Sequence, residues 1–252
     1  MELTLQMVMI AFGGVFLASF LDAIAGGGGI ISVPAYLLAG LPMHMALATN
    51  KISSSLGLLA SCGRYIKNGY VHWRLALPSV ALALAGSYLG TRLQLMLPER
   101  YLQYLLLLVL PLVAVVVLRK RSFPEVQVPM DERRRAAIVF TASLAVGAYD
   151  GFYGPGTGTF LLLLYTGLAG LGVRTATGNV KLVNLASGTA SMLTAACYGE
   201  IFWLLGLICA AAAFAGQFMG AGLTIKNGSK VVRPVVIVAL ALLAVKIVAE
   251  LF

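Results

Sequence analysis

Asp22-Ala-Ile-Ala-Gly-Gly-Gly-Gly29, followed by Gly40-Leu41, Lys51-Ile-Ser-Ser54 and Gly69-Tyr-Val-His-Trp73, is a pattern that this chain contains twice. The second copy reads Asp150-Gly-Phe-Tyr-Gly-Pro-Gly-Thr157, Gly170-Leu171, Lys181-Leu-Val-Asn184 and Gly199-Glu-Ile-Phe-Trp203. The offset is 128 residues at the aspartates and their glycines, and 130 from Gly40 and Gly170 onward. It persists through Gly86 and Gly216, and through Gly90 and Gly220. Glycine-interrupted apolar segments at corresponding places in two halves are the sequence sign of a transporter's central site.

Composition sets the solvent. Sixty per cent of the 252 residues are hydrophobic, 11% are charged and the mean hydropathy is +0.93. A soluble domain carries roughly 25% charge. The chain therefore reads as an all-α polytopic membrane protein. A spanning barrel would instead alternate over segments of about ten residues. The net charge of +9 reads as cytoplasmic topology signals rather than a nucleic-acid surface. Cys62, Cys197 and Cys209 lie in apolar stretches with no Cys-x-x-Cys spacing and read as packing residues. Ala23-Ile24-Ala25 mimics a signal-peptide cleavage site, but the amino terminus lacks a basic leader region and cutting there would discard Asp22.

Ten apolar segments are expected, five per half: 4–24, 29–41, 45–65, 75–97 and 101–118, then 137–150, 157–170, 176–198, 203–225 and 234–251. The second of each half covers only about 20 Å as a helix, short of the roughly 30 Å hydrocarbon core. Residues 1–118 form the first membrane repeat, 119–136 a basic linker and 137–252 the second repeat. Arg119, Lys120, Arg121, Arg133, Arg134 and Arg135 place the linker in the cytoplasm, where it reads as a solvated tether. Threading outward puts both termini outside. An odd number of segments per half makes the repeats inverted. The small-residue pairs Gly86/Gly90 and Gly216/Gly220 are expected to pack helices within the chain rather than form a dimer interface. The chain assembles as a monomer or a homodimer.

Lys51 and Lys181 are the candidates to carry the chemistry, the alternative being that each snorkels to the nearer interface. They sit five or six residues inside their expected helices, roughly 8–9 Å along the axis. Ionisable groups at such depth are costly and mark functional sites. Inversion would bring the two cations toward the midplane from opposite sides. Ser54 lies on the face of Lys51, and Asn184 on that of Lys181. Thr49, Asn50 and Asn179 precede the lysines and serve either the substrate or the broken backbone. Gly27, Gly28 and Gly156 lie in turns that expose backbone N–H groups at helix N-termini, where anions are favoured. Asp22 and Asp150 read either as caps or lysine partners, or as proton carriers.

Two membrane aspartates also raise intramembrane aspartyl proteolysis as a remote alternative. Neither, however, is preceded by Gly-x-Gly, and His-Glu-x-x-His and Gly-x-Ser-x-Gly are absent. No enzyme, metal or cofactor is expected.

Leu21-Asp-Ala-Ile-Ala-Gly-Gly-Gly-Gly29, Ala46-Leu-Ala-Thr-Asn-Lys51, Tyr149-Asp-Gly-Phe-Tyr-Gly-Pro155, Lys181-Leu-Val-Asn184, Gly216-Gln-Phe-Met-Gly-Ala221 and Arg233-Pro234 together resemble the sulfite exporter TauE/SafE family over nearly the whole chain. The resemblance is nearest to members of uncertain substrate. It implies a bacterial inner-membrane secondary carrier that exports a sulfur-containing anion such as sulfite or an organosulfonate. An anion channel and a carrier of a non-sulfur organic anion remain open readings. The expected partners are the small anion, protons if transport is coupled, and the lipid bilayer.

Overall fold

The computed structural model describes residues 3–98, 101, 124–232, 234 and 235. The fifth segments expected at 101–118 and 234–251 lie almost wholly outside the described residues. Within the described residues there are eight complete α-helices, further helical residues at 101, 229–232, 234 and 235, and no strand. They are α1 Leu5–Ala25, α2 Gly29–Leu38, α3 Met43–Lys67 and α4 Trp73–Met96 in the first half. The second half has α5 Glu132–Phe152, α6 Thr157–Gly167, α7 Val173–Cys197 and α8 Trp203–Asn227. By length and composition, α1 and α8 each suffice to cross a membrane.

Local chemistry sets the helix ends. Thr4 caps α1 by accepting a hydrogen bond from the Met7 N–H. Asp131 caps α5 by accepting from the Arg134 N–H at 3.0 Å. Helix α5 thus begins five residues before the apolar run at 137, because a charged first turn under an acidic cap is invisible to hydropathy. Helices α3 and α7 also start earlier than hydropathy indicated, at Met43 and Val173. Each lysine is then the ninth residue of its helix, about 12 Å in rather than 8–9 Å.

The short second helices are shorter than expected. Helices α2 and α6 have 10 and 11 residues, about 15 and 17 Å long. Gly26 and Gly27 before α2, and Gly154 and Gly156 before α6, have φ between 77° and 95°. That left-handed backbone costs a residue with a Cβ roughly 1–2 kcal/mol. These four glycines are therefore what breaks the helices.

Each half packs against the other. Helix α1 lies along α8 and α4 along α5, while α3 meets α8 and α4 meets α7. Helices α3 and α7 meet each other. Every such contact has its counterpart under exchange of the halves. Gly86 and Gly90 press α4 against the backbone of Leu144, Ala148 and Phe152 in α5. Gly216 and Gly220 press α8 against the backbone of Phe16 and Phe20 in α1. The matched glycine pairs thus join the two halves of one chain, where small residues allow backbones to approach closely. Large apolar side chains such as Leu5, Leu77, Leu89 and Met219 point outward, as a bilayer-facing surface requires.

The linker before α5 is more than a tether over its described part. The Val128 N–H donates to Gly170 O at 2.8 Å, and the Val173 N–H donates to Pro124 O at 2.7 Å. Glu125 forms an ion pair with Arg174 at 3.0 Å and accepts from the Ser229 N–H at 2.7 Å. Hydrogen bonding from Ser229 is the largest influence lowering the Glu125 carboxyl below its ordinary value; Arg174 and Lys230 add to it against desolvation. Arg135, expected to be a solvated topology signal, is 1% exposed. It donates to Ala169 O at 3.0 Å and Val128 O at 2.8 Å, and pairs with Glu132.

Candidate functional site

The two glycine turns meet. A Cβ on Gly26 would collide with the backbone of Gly158 and Thr159, and one on Gly158 would lie 2.8 Å from Gly26 Cα. Gly29 faces Pro155 across the same crossing. The N-termini of α2 and α6 are therefore brought together by backbone contact that side chains would prevent. In both turns glycine supplies the positive φ and the close approach at once.

Each lysine reaches across this crossing into the other half. The Lys51 ammonium donates to the Asp150 backbone carbonyl at 2.6 Å and pairs with Asp150 Oδ1 at 2.9 Å. The Lys181 ammonium donates to the Asp22 backbone carbonyl and pairs with Asp22 Oδ2 at 2.8 Å. Asp22 and Asp150 lie in the last turns of α1 and α5. A cation is favoured there by the outward-pointing carbonyls. The pairs are thus both helix caps and ties between halves. Their four charges sum to zero.

The carboxylates are further held by unlike partners. Asp22 Oδ1 accepts from the Gly28 N–H at 3.0 Å, and Oδ2 from Gln217 Nε2 at 2.7 Å. Asp150 Oδ1 accepts from the Thr157 hydroxyl at 2.9 Å, and Oδ2 from the Ser187 hydroxyl at 2.6 Å.

A cavity of about 60 Å³ opens at the crossing. A buried water needs roughly 10–15 Å³ of such space, so this volume suits a small ion with a few waters. Of the residues singled out from sequence, Lys51, Asn50, Ser54, Asn184, Gly27, Gly28, Asp22 and Asp150 line it. Lys181, Thr49, Asn179 and Gly156 do not. Lys181 is 0% exposed, against 7% for Lys51. Thr49 accepts from the Phe202 N–H at 3.0 Å, and Asn179 donates to Thr175 O at 2.7 Å. Both serve the backbone, one of the two roles open to them from sequence.

Gln217, Thr157 and Ser187 escaped the sequence reading. Gln217 and Thr157 line the cavity, and Ser187 holds Asp150. An amide inside the apolar run of α8 was the available signal for Gln217, but it stood between the two packing glycines. Ser187 lies three residues beyond Asn184, hence on the face already marked. Thr157 reads as one more residue of the broken turn.

Among the described residues, no cluster of three or more His, Cys, Asp or Glu side chains could hold a metal ion. No solved structure matches the chain. Its curated relatives are bacterial. It is 32% identical over 251 residues to the probable membrane transporter protein ORF9 of Sinorhizobium sp, covering 99% of this chain and 95% of that one. A probable membrane transporter protein of Haemophilus influenzae is 30% identical over 251 residues, with coverage of 98% and 97%. The probable membrane transporter protein YfcA of Escherichia coli K12 is 31% identical over 242 residues, with coverage of 94% and 88%. The helices, the doubled broken segments and these relatives identify an integral membrane transporter. The model of the sulfite exporter TauE/SafE family matches residues 11–247, and the chain belongs to that family.

Proposed function

We propose that this protein is a secondary carrier that exports a small sulfur-containing anion, such as sulfite or an organosulfonate, across the bacterial inner membrane. The observation that carries the reading is the cavity itself, where Lys51 and the glycine turns of both halves converge. An ammonium and two helix N-termini favour an oxyanion, and the volume suits a small one. Ser54, Asn50 and Asn184 supply hydrogen bonds from the walls.

The two halves act as inverted repeats that rock against each other around this site. The exchange of contacts between the halves supports that motion, because each lysine ties its own repeat to the first helix of the other. Asp22 or Asp150 is the group through which transport is linked to protons. The central basic loop lies in the cytoplasm, and both termini lie outside.

The test is counterflow in proteoliposomes against sulfite, sulfonates, sulfate and carboxylates. Trans-stimulated, saturable exchange of sulfite or a sulfonate is expected. Flux without trans-stimulation would make the protein a channel, and exchange confined to carboxylates would move the substrate out of sulfur chemistry.

A further inference from the structure

The two ion pairs are equivalent in sequence, yet only one is built to exchange its lysine for a proton. We propose that substrate binding protonates Asp150 and not Asp22, so that each monovalent anion crosses with one proton. This deepens the carrier reading and rests on it.

The argument begins with charge. The occupied pairs Lys51–Asp150 and Lys181–Asp22 leave the buried site neutral. An anion added to a neutral site enclosed by protein is a buried, unpaired charge, which is strongly disfavoured. It must therefore take a cation from an existing pair, and the carboxylate left behind must neutralise itself.

Access selects the pair. Lys51 lines the cavity, while Lys181 is fully enclosed and does not. An entering anion can compete only for Lys51. Asp150 is the carboxylate that then loses its counter-ion.

With Lys181 kept in place, the hydrogen-bond partners favour the same pair. A hydroxyl can donate or accept, whereas an amide N–H or an ammonium can only donate. Around Asp150 the neutral partners are two hydroxyls, each with a second acceptor in reach. Thr157 Oγ1 lies 2.5 Å from Gly154 O, and Ser187 Oγ lies 3.2 Å from Asn184 O. When Lys51 leaves Oδ1, a proton can take its place and donate to Thr157 Oγ1, while the Thr157 hydrogen turns to Gly154 O. Neither carboxyl oxygen of Asp150 nor either hydroxyl is left unsatisfied.

Around Asp22 every partner is a donor. Gly28 N–H holds Oδ1, and both Gln217 Nε2 and Lys181 hold Oδ2. Turning the Gln217 amide would still leave Lys181 on the same oxygen. With Lys181 in place, a proton on Asp22 would meet the Gly28 N–H at Oδ1 or share Oδ2 with the ammonium.

The surroundings of Asp150 are otherwise quiet. Helix α3 presents Lys51; α4 presents Ser87 and Thr91, which bond Ser187 O and Gly151 O. The neighbouring Tyr149 hydroxyl donates to Pro155 O. Asp22 lines the same cavity with its own lysine in place.

The exchange balances. Before binding, Lys51 and Asp150 sum to zero; afterwards, Lys51, the anion and neutral Asp150 sum to zero, with one proton drawn from the side that supplied the anion. Direction then follows the product of the anion and proton gradients. Outward flow of an anion accumulated inside removes one acid equivalent with each molecule.

Methanesulfonate is the suitable probe, because it carries no titratable proton near neutral pH. Wild-type proteoliposomes are expected to show methanesulfonate counterflow at symmetric pH. A one-unit pH gradient should also drive about ten-fold accumulation, independent of membrane potential. Asp150→Asn should lose the accumulation driven by the pH gradient. Counterflow in the wild type without any response to the pH gradient overturns the inference alone. So does undiminished proton-driven accumulation by Asp150→Asn. Absence of counterflow removes the carrier reading for sulfonates and this inference with it. Calorimetric titration of the wild-type protein in two buffers of different ionisation enthalpy reads the same linkage without a variant. Uptake of about one proton per methanesulfonate bound is expected, and zero uptake overturns the proposal.

Discussion

Lys51–Asp150 and Lys181–Asp22 are the same device built twice, and they differ in what surrounds them. Both place an ammonium on the last turn of the opposite half's first helix. One offers its lysine to the cavity and holds its carboxylate among hydroxyls; the other keeps its lysine enclosed and its carboxylate among amide donors. The difference teaches that a repeat fixes where two charges go without giving them the same task. A pair that must release its lysine needs partners that can reverse direction. A pair that must hold the halves together needs its cation kept in place.

Removing Lys181 should do the greatest damage. Lys181→Met leaves Asp22 as a buried carboxylate without its cation, a loss of about 3–5 kcal/mol. Thermal or chemical unfolding in detergent should show it, and Lys181→Met with Asp22→Asn should regain part of the loss. Equal destabilisation by Lys51→Met would erase the comparison.

Lys51→Met is expected instead to spare much of the stability and abolish transport. Counterflow should fall at least about 100-fold, in line with a loss of roughly 3 kcal/mol at a buried, hydrogen-bonded charge. Persistent counterflow would take Lys51 out of the site.

Gln217→Leu sharpens the difference in partners. It removes one donor from Asp22 Oδ2 while Lys181 remains, a loss of about 1.5–3 kcal/mol for a hydrogen bond to a charged group. Ser187→Ala tests the matching position on Asp150. There the pH dependence of transport should move more than the unfolding midpoint does.

The smallest effect belongs to the linker before α5. Glu125 is partly exposed, and its carboxyl is held below the ordinary value chiefly by Ser229. A depressed carboxyl stabilises above its unfolded pKa, and that contribution is lost as pH falls through the folded one. Amide exchange at Val128 and Val173 should therefore be slow at neutral pH and quicken in acid. Glu125→Gln should quicken it at neutral pH, with little change in global stability.

Much of this was legible in the residues. Eight helices lie where apolar runs predicted them, because a bilayer demands both apolar side chains and internally bonded backbone. The breaks before α2 and α6 were legible because glycine runs advertise positive φ. The early start of α5 was not, since Asp131 and the charged turn behind it resemble linker. Arg135 was misread for the same reason: charge alone does not reveal that Ala169 O and Val128 O lie within its reach.

By itself, the sequence determined a membrane protein with two copies of one motif, a lysine and an aspartate in each. Spacing along a helix and hydropathy are local, so they survive in a string of letters. Only the tertiary structure decided that each lysine pairs with the other half's aspartate, and that Lys51 faces the cavity while Lys181 does not. Those facts depend on contacts between residues more than ninety positions apart. In a site where burial makes every unpaired charge costly, such long-range contacts decide which charge is free to act.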